Sequence, residues 1–304
     1  MILIGENIHV ISKQVREALI NRDEKFISEL IKIQSNMDFI DLNIGPAKGD
    51  MEEILPWLAS LVKKYSDLNI SFDTTNSDEM KKGLENFDGD TFINSTSSDE
   101  PRLSRMTDMA AEFGSNLIAL TLSKETGIPK TSDGRLEIAF NIYEKCLEKD
   151  IDSEKLFFDP LILPVNVEQS QGLEAINTIK MIKESFDPPV KTVVGLSNIS
   201  NGCPKEIRPL INRVYACLAF GAGLDAAIID AKDVELVRIL KMLSENIPQS
   251  DIDNLYIKLA QMIREIGELD DVEFDKECEE QLRIIKTAGV LLNREIYSHS
   301  FTQI

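Results

Sequence analysis

The sequence predicts a (β/α)8 TIM barrel with a helical insertion in the last βα unit. Short apolar segments alternate with segments of helical spacing eight times along 304 residues, a length that is ordinary for one such barrel. The stretch 221–226 matches G-x-G-x-x-A, but it precedes a predicted strand. A dinucleotide-binding turn follows its strand, so we reject a doubly wound dinucleotide-binding sheet.

Each predicted element rests on hydrophobic periodicity and on the turn residues that bound it. The predicted strands are Ile2–Gly5, Asp38–Gly45, Asn69–Thr75, Thr91–Thr96, Asn116–Leu122, Leu156–Pro160, Lys191–Val194 and Asp225–Asp230. The predicted helices are Glu24–Gln34, Met51–Tyr65, one capped near Ser77, Arg102–Phe113, one through Ile138 and Tyr143, Ile176–Phe186 and Leu210–Phe220.

The region 232–285 does not fit the strand–helix repeat. It contains two amphipathic helical runs, Val234–Leu243 and Leu255–Ile266, on either side of Pro248. The acidic run 268–275 is predicted to be a solvated loop, and Thr287–Tyr297 the terminal helix. We therefore expect one domain over residues 1–304, with an insertion at about 240–278.

Composition narrows the possible partners. The chain is 43% hydrophobic and carries a formal charge of −19, which disfavours nucleic acid and anionic membrane surfaces. From the first residues we expect no signal peptide, and no apolar run is long enough to cross a bilayer. The four cysteines form no C-x-x-C pair, so no structural zinc or iron–sulfur cluster is expected. We expect a cytoplasmic protein with no bound metal.

Five predicted strands end in, or lead directly into, an amide or a carboxylate. These residues are Asn43, Asp73, Asn94, Asp159 and Asn198, the last of which precedes the turn-rich stretch Asn201–Pro204. Any one of them could be a loop cap, since Asp and Asn favour turns. In a barrel, however, the carboxyl ends of all strands surround one mouth, so these five side chains should share one pocket. Asn198 is the central candidate.

The residue types of this set indicate a particular ligand chemistry. The only histidines, His9 and His299, lie near opposite termini, so no His–Ser or His–Cys couple is expected, and a peripheral role for His9 is favoured. Amides and ionised carboxylates instead form a template of donors and acceptors for a flat, amide-rich heterocycle. A carboxylate that accepts two adjacent N–H groups makes a charge-assisted pair of hydrogen bonds.

Several strings along the barrel carry a resemblance to a known family. They are Gly5–Asn7, Asp41–Pro46, Asp73–Asn76, Ile93–Thr96, Thr126–Lys130, Asp159–Asn166, Gly195–Ser200 and Arg208–Arg213. In these strings the chain resembles the methyltetrahydrofolate–corrinoid/iron–sulfur protein methyltransferases, which are pterin-binding barrels. Asn201 stands where that family commonly has Gln, and the insertion at about 240–278 is absent from the members compared.

The resemblance implies a cytoplasmic enzyme of one-carbon metabolism in the acetyl-CoA pathway. It would transfer the N5-methyl group of 5-methyltetrahydrofolate to the cob(I)amide cofactor of a corrinoid/iron–sulfur protein, its transient partner. Homodimerisation is typical of the family. Asn198 would be catalytic at N5, and the pterin would be held by Asp73, Asn94, Asp159, Asn198, Asn43, Asn201 and Arg208.

Two other readings stay open. One is a different pterin enzyme, either the folate-binding component of a corrinoid-dependent demethylase or a dihydropteroate synthase. A synthase needs basic side chains for pyrophosphate, and Lys124 and Lys130 are the nearest candidates. The other is a non-catalytic folate-binding protein that uses the insertion as its partner surface.

Overall fold

The computed structural model describes residues 1–47, 49–51 and 53–302, and within these ranges the chain forms a closed barrel of eight parallel strands. Neighbouring strands follow the order of the chain, so each strand pairs with the next and β8 returns to β1. The strands are β1 (Ile2–His9), β2 (Phe39–Gly45), β3 (Asn69–Thr74), β4 (Thr91–Thr96), β5 (Asn116–Leu120), β6 (Leu156–Asp159), β7 (Lys191–Gly195) and β8 (Ala226–Ile229).

Helices follow the strands around the barrel. They are α1 (Lys13–Ile20), α2 (Glu24–Ile33), α3 (Ile54–Tyr65), α4 (Ser77–Glu85), α5 (Arg102–Phe113), α6 (Ser132–Leu147), α7 (Ser170–Ser185), α8 (Arg208–Gly221), α9 (Val234–Glu245), α10 (Asp251–Arg264) and α11 (Glu279–Leu291). Neither these helices nor any other within the described residues is both long and apolar enough to cross a bilayer.

Aromatic side chains fill the barrel interior near the amino ends of the strands. The rings of Phe39 and Phe92 meet edge to face at 4.8 Å, and Phe92 meets Phe157 in the same way at 4.8 Å. Ile4 and Val193 complete this buried layer. Because the lower half of the barrel is packed, open space is left only towards the carboxyl ends of the strands.

The predicted fold is confirmed, and the differences from it have local causes. The first strand extends to His9 instead of ending at Gly5, and helix α1 was not predicted. The predicted terminal helix Thr287–Tyr297 is wrong, because α11 ends at Leu291. Asn293 adopts a φ of 59° and the Arg294 N–H donates to the Gly289 carbonyl at 2.8 Å, which closes the helix. Glu52, inside the predicted helix Met51–Tyr65, lies outside the described residues.

Helices α9, α10 and α11 follow β8, and of these α10 lies wholly within the predicted insertion at about 240–278. Helices α10 and α11 pack against α8 and not directly on the strands. The acidic run 268–275 is only partly the expected loop, because Leu269–Asp271 form one turn of 3-10 helix and both Leu269 and Val272 are buried. These two apolar side chains anchor an otherwise charged segment. The insertion at about 240–278 stays a prediction.

The contact between α8 and α10 depends on a glycine. A Cβ atom on Gly221 would lie 2.2 Å from the Ala260 carbonyl oxygen, so the two helices approach closely at this point. We expect Gly221→Ala to lower the free energy of unfolding by about 1–3 kcal/mol, the usual cost of overpacking. Urea denaturation measures the change. Gly267→Ala is the matched control, because its Cβ would meet no atom closer than 3.5 Å. Equal stability of the two variants would contradict this packing.

Candidate functional site

The open end of the barrel forms a cavity of about 1030 Å³ at the carboxyl ends of the strands. All seven residues that the sequence assigns to the pterin site line this cavity, namely Asn43, Asp73, Asn94, Asp159, Asn198, Asn201 and Arg208. They come from β2, β3, β4, β6, the segment between β7 and α8, and the first residue of α8. The fold thus brings the predicted site residues together, and their roles in binding stay predictions.

The first polar group of the cavity floor is centred on Asp41. The strand register places Asp41 opposite Ser71, and the Ser71 hydroxyl donates to the Asp41 carboxylate at 2.6 Å. The Asn94 side-chain nitrogen donates to the same carboxylate oxygen at 3.1 Å. Burial raises the pKa of Asp41 to about 6, and these two hydrogen bonds oppose the rise. Since its NH2 group is held by Asp41, Asn94 presents its carbonyl oxygen as the free acceptor.

The second group pairs Asn43 with Asp73. These two residues are register partners on β2 and β3, and the Asn43 side-chain nitrogen donates to the Asp73 carboxylate. Burial raises the pKa of Asp73 well above its usual value, and the nearby Asp41 carboxylate adds to this shift. The Asn43 hydrogen bond and the charge of Arg102 act in the opposite direction. Asp73 is therefore a half-buried carboxylate that gains from a ligand with N–H groups.

Asp159 is the third floor residue and ends β6. Its Oδ1 accepts the Leu161 N–H at 2.7 Å, and Leu161 itself has a positive φ of 64°. Burial raises the pKa of Asp159 to about 7, against this hydrogen bond and the positive charge of Arg135. Arg135 is itself fully buried and donates to the Pro129 carbonyl at 3.0 Å and to the Gln171 side chain. Asp159 keeps Oδ2 free for a ligand.

Asn198 lies just beyond β7, in the single 3-10 turn Leu196–Ser200, and not on the strand itself. Its side chain is exposed to the cavity and has no hydrogen-bond partner among the described residues. The Gly195 Cβ position lies 2.9 Å from the Asn198 side-chain nitrogen, so a larger residue at 195 would displace the amide. Asn201 ends the same turn, and Arg208 donates through Nε to the Cys203 carbonyl at 2.7 Å. Asn198 thus offers a free amide at the side of the cavity.

Several cavity residues were missed by the sequence reasoning, above all Glu6 and Asp41. The Ser197 hydroxyl donates to Glu6, which ties β1 to the turn that carries Asn198. Burial raises the pKa of Glu6 to about 7; the Ser197 hydrogen bond opposes this, and Asp230 and Asp41 add to it. His9, for which a peripheral role was favoured, also lines the cavity. The available signal was period-two spacing, since Asp41 shares a strand face with Asn43.

The cavity therefore combines buried carboxylates with side-chain amides. Within the described residues, no group of three or more His, Cys, Asp or Glu side chains is arranged to hold a metal ion. Two carboxylates and one amide oxygen, on β3, β6 and β4, face a common space and accept hydrogen bonds. Such a floor suits one edge of a flat heterocycle that carries several N–H donors.

The family that the sequence matches binds a heterocycle of the kind that the cavity floor suits. The sequence profile described as "Pterin binding enzyme" matches residues 41–230, which is most of the barrel. The chain belongs to the pterin-binding enzyme family. This match confirms the family resemblance that the sequence motifs indicated.

Two curated relatives of this pterin-binding enzyme are informative. The methionine synthase of Mycobacterium tuberculosis is 30% identical over 247 residues, which cover 77% of this chain and 21% of the relative. The chain thus spans about a fifth of the length of the methionine synthases that it matches. The methylcorrinoid:tetrahydrofolate methyltransferase of Eubacterium limosum is 25% identical over 234 residues, which cover 76% of this chain and 85% of the relative.

Solved structures of the same fold include dihydropteroate synthases. The enzyme from Coxiella burnetii, in complex with pteroic acid, aligns with a TM-score of 0.59 at 15% identity over 79% of this chain and 92% of its own. The Yersinia pestis enzyme aligns with a TM-score of 0.55 at 16% identity over 80% and 93%. At this identity the likeness shows the barrel fold that this pterin-binding enzyme shares with them.

Proposed function

We propose that this pterin-binding enzyme transfers the N5-methyl group of 5-methyltetrahydrofolate to the cob(I)amide cofactor of a separate corrinoid/iron–sulfur protein. The observation that carries the proposal is the position of the free Asn198 amide beside a floor of Asp73, Asn94 and Asp159. The Eubacterium limosum relative, whose name specifies a methylcorrinoid and tetrahydrofolate, matches over most of its length and supports the same chemistry.

The floor residues hold the pyrimidine edge of the pterin in this proposal. That edge carries ring N–H and amino donors, which pair with the carboxylates of Asp73 and Asp159 and with the carbonyl oxygen of Asn94. Ionised acceptors make these hydrogen bonds short and strong. Binding also offsets the cost of burying the two carboxylates, because the ligand supplies donors that the protein does not. Asn43, Asn201 and Arg208 complete the pterin contacts.

Asn198 acts at N5, where charge develops during the reaction. The cobalt electron pair forms the bond to the methyl carbon, and the C–N electron pair stays on N5, which takes up a proton to give tetrahydrofolate. A neutral tertiary amine is a poor leaving group, so stabilisation of the protonated N5 lowers the barrier. Asn198 cannot be the acid, because an amide does not titrate. The proton reaches N5 through water or through the cavity carboxylates, of which Glu6 is joined to the neighbouring Ser197.

The corrinoid reaches the methyl group from outside the barrel, carried by the partner protein. The cavity opens to solvent at the carboxyl ends of the strands, and the partner docks over this mouth. The contact is transient, since the same face must admit and release folate. We further propose, from the family resemblance, that the chain is a cytoplasmic homodimer of the acetyl-CoA pathway.

A methyl-transfer assay with free cob(I)alamin tests the proposal. Formation of tetrahydrofolate and methylcobalamin is the expected result, and the Asp73→Asn/Asp159→Asn double variant is the inactive control. Folate binding without turnover would instead indicate a non-catalytic folate-binding protein. The two lysines that the sequence offers for a synthase do not line the cavity, and Lys130 lies 3.8 Å from Glu168.

A further inference from the structure

The rim of the cavity differs in charge from its floor. The floor is acidic, yet on the side of β7 and β8 the exposed side chains of Lys205 and Lys232 also line the cavity. Two acidic residues of this rim are paired with arginines, since Asp233 lies 2.6 Å from Arg213 and Glu235 lies 2.8 Å from Arg238. A third, Asp230, accepts hydrogen bonds from the Asn7 side chain and from the Lys232 main-chain N–H. No carboxylate lies within 4.0 Å of the Lys205 or Lys232 ammonium group in the described parts of the chain. The rim thus carries two lysines without an ion-pair partner, in a protein of net charge −19.

The position of these cations matches the covalent structure of folate. The tail of folate leaves the pterin from C6, the ring atom next to N5, and on the side opposite the pyrimidine edge. If the floor binds that edge and Asn198 faces N5, the tail leaves the cavity past Asn198. Lys205 lies on the segment that follows Asn198, and Lys232 comes three residues after β8, the neighbour of β7 in the barrel. The two lysines therefore flank the exit of the tail.

We propose that Lys205 and Lys232 bind the carboxylates of the glutamate residues in the folate tail and so favour polyglutamyl over monoglutamyl 5-methyltetrahydrofolate. This inference rests on the proposed function of the cavity. Each added glutamate brings one more carboxylate to a rim that has cations without partners. Because the pairs form in solvent, each contributes modestly and is weakened by salt. The same cations could attract the phosphate of a corrinoid, and the experiment separates the two sources.

The measurement is the dissociation constant of monoglutamyl and triglutamyl 5-methyltetrahydrofolate by isothermal titration calorimetry on the full chain. Wild type should bind the triglutamate about five- to tenfold more tightly at low ionic strength, which corresponds to two exposed ion pairs. Lys205→Gln/Lys232→Gln should lose this preference and keep its affinity for a pterin without a tail. Lys241→Gln/Lys276→Gln is the matched control, with the same charge change on exposed lysines outside the cavity.

Three outcomes overturn the inference. Wild type shows no preference for the triglutamate, or the rim variant keeps the wild-type preference, or the control variant loses it to the same extent. A fourth outcome would assign the two lysines to binding of the corrinoid. In that case the rim variant would keep the wild-type folate affinities and would transfer the methyl group more slowly at limiting cobalamin. Wild type that binds no folate of any length would contradict the proposed function as well. Binding of the monoglutamate with normal turnover but no tail preference would contradict the rim site alone.

Discussion

Asn198→Ala is expected to lower the single-turnover rate of methyl transfer by about 10²–10³-fold, the effect of removing one preorganised electrostatic contact at the reacting atom. The affinity for 5-methyltetrahydrofolate should change much less, because Asp73, Asn94 and Asp159 hold the other edge of the ring in the proposed binding mode. The free amide of Asn198, with no partner among the described residues, has no structural hydrogen bond to lose. Rapid-mixing absorbance of the cobalt reaction measures the rate, and calorimetry measures the affinity.

Two further variants test whether the effect belongs to the amide of Asn198. Asn254→Ala removes an equally exposed amide from α10, outside the mouth cavity, and should leave the rate unchanged. Asn198→Asp keeps a hydrogen-bond acceptor but adds a titrating group, so its rate should acquire a new dependence on pH. A loss of folate affinity with an unchanged single-turnover rate would assign Asn198 to binding and would contradict the catalytic role.

Asp159→Asn is expected to weaken folate binding and to stabilise the unliganded protein at alkaline pH. Replacing a charged acceptor by a neutral one costs about 1.5–3 kcal/mol, or roughly 10–100-fold in affinity. Burial raises the pKa of Asp159 from 3.8 to about 7, so the folded state holds a proton that the unfolded state has released. The folded protein is thus penalised increasingly as pH rises from about 4 to about 7, and fully above that range.

The asparagine variant does not carry this penalty. The free energy of unfolding of Asp159→Asn minus that of wild type should be near zero at pH 3.5. It should increase between about pH 4 and 7 and reach roughly 4 kcal/mol at most at pH 8. Urea denaturation at several pH values measures it, with Asp67→Asn as the control on an exposed carboxylate outside the cavity. A variant that is less stable than wild type at pH 8 would show that the buried carboxylate is a net stabilising group.

The strand–helix repeat made the barrel predictable, since seven of the eight strands ended within two residues of their observed limits. The candidate site followed from polar residues at strand ends, because barrel topology alone gathers those positions at one mouth. Glu6 directly follows the predicted end of β1, so the same rule could have found it. The glycine at position 5 was taken as the end of β1, whereas the strand continues to His9 across a register shift between Gly5 and Ile8.

Three features of the structure depend on tertiary contacts or backbone conformation that the sequence pattern does not specify. Asp41 lies inside β2 between apolar neighbours, and its period-two spacing from Asn43 indicates only a shared strand face. The tertiary structure adds the hydrogen bonds to Ser71 and Asn94 that join it to the polar floor. The end of α11 depends on the backbone of Asn293, which has no signature in hydrophobic periodicity. The packing of α10 on α8 could not be predicted either, because it requires the close approach at Gly221.

Because the barrel is closed, a ligand of the cavity binds only the fully folded chain. Ile2 on the first strand pairs with Ala226 on the last, so the ring is complete only when nearly the whole chain has folded. A molecule that contacts β3, β4, β6 and the turn after β7 at once has nothing to bind in a partly assembled sheet. Such a ligand stabilises the closed ring in proportion to the logarithm of its concentration. If the cavity binds the methyl donor as proposed, a higher concentration of that donor would raise the free energy of unfolding of the closed barrel.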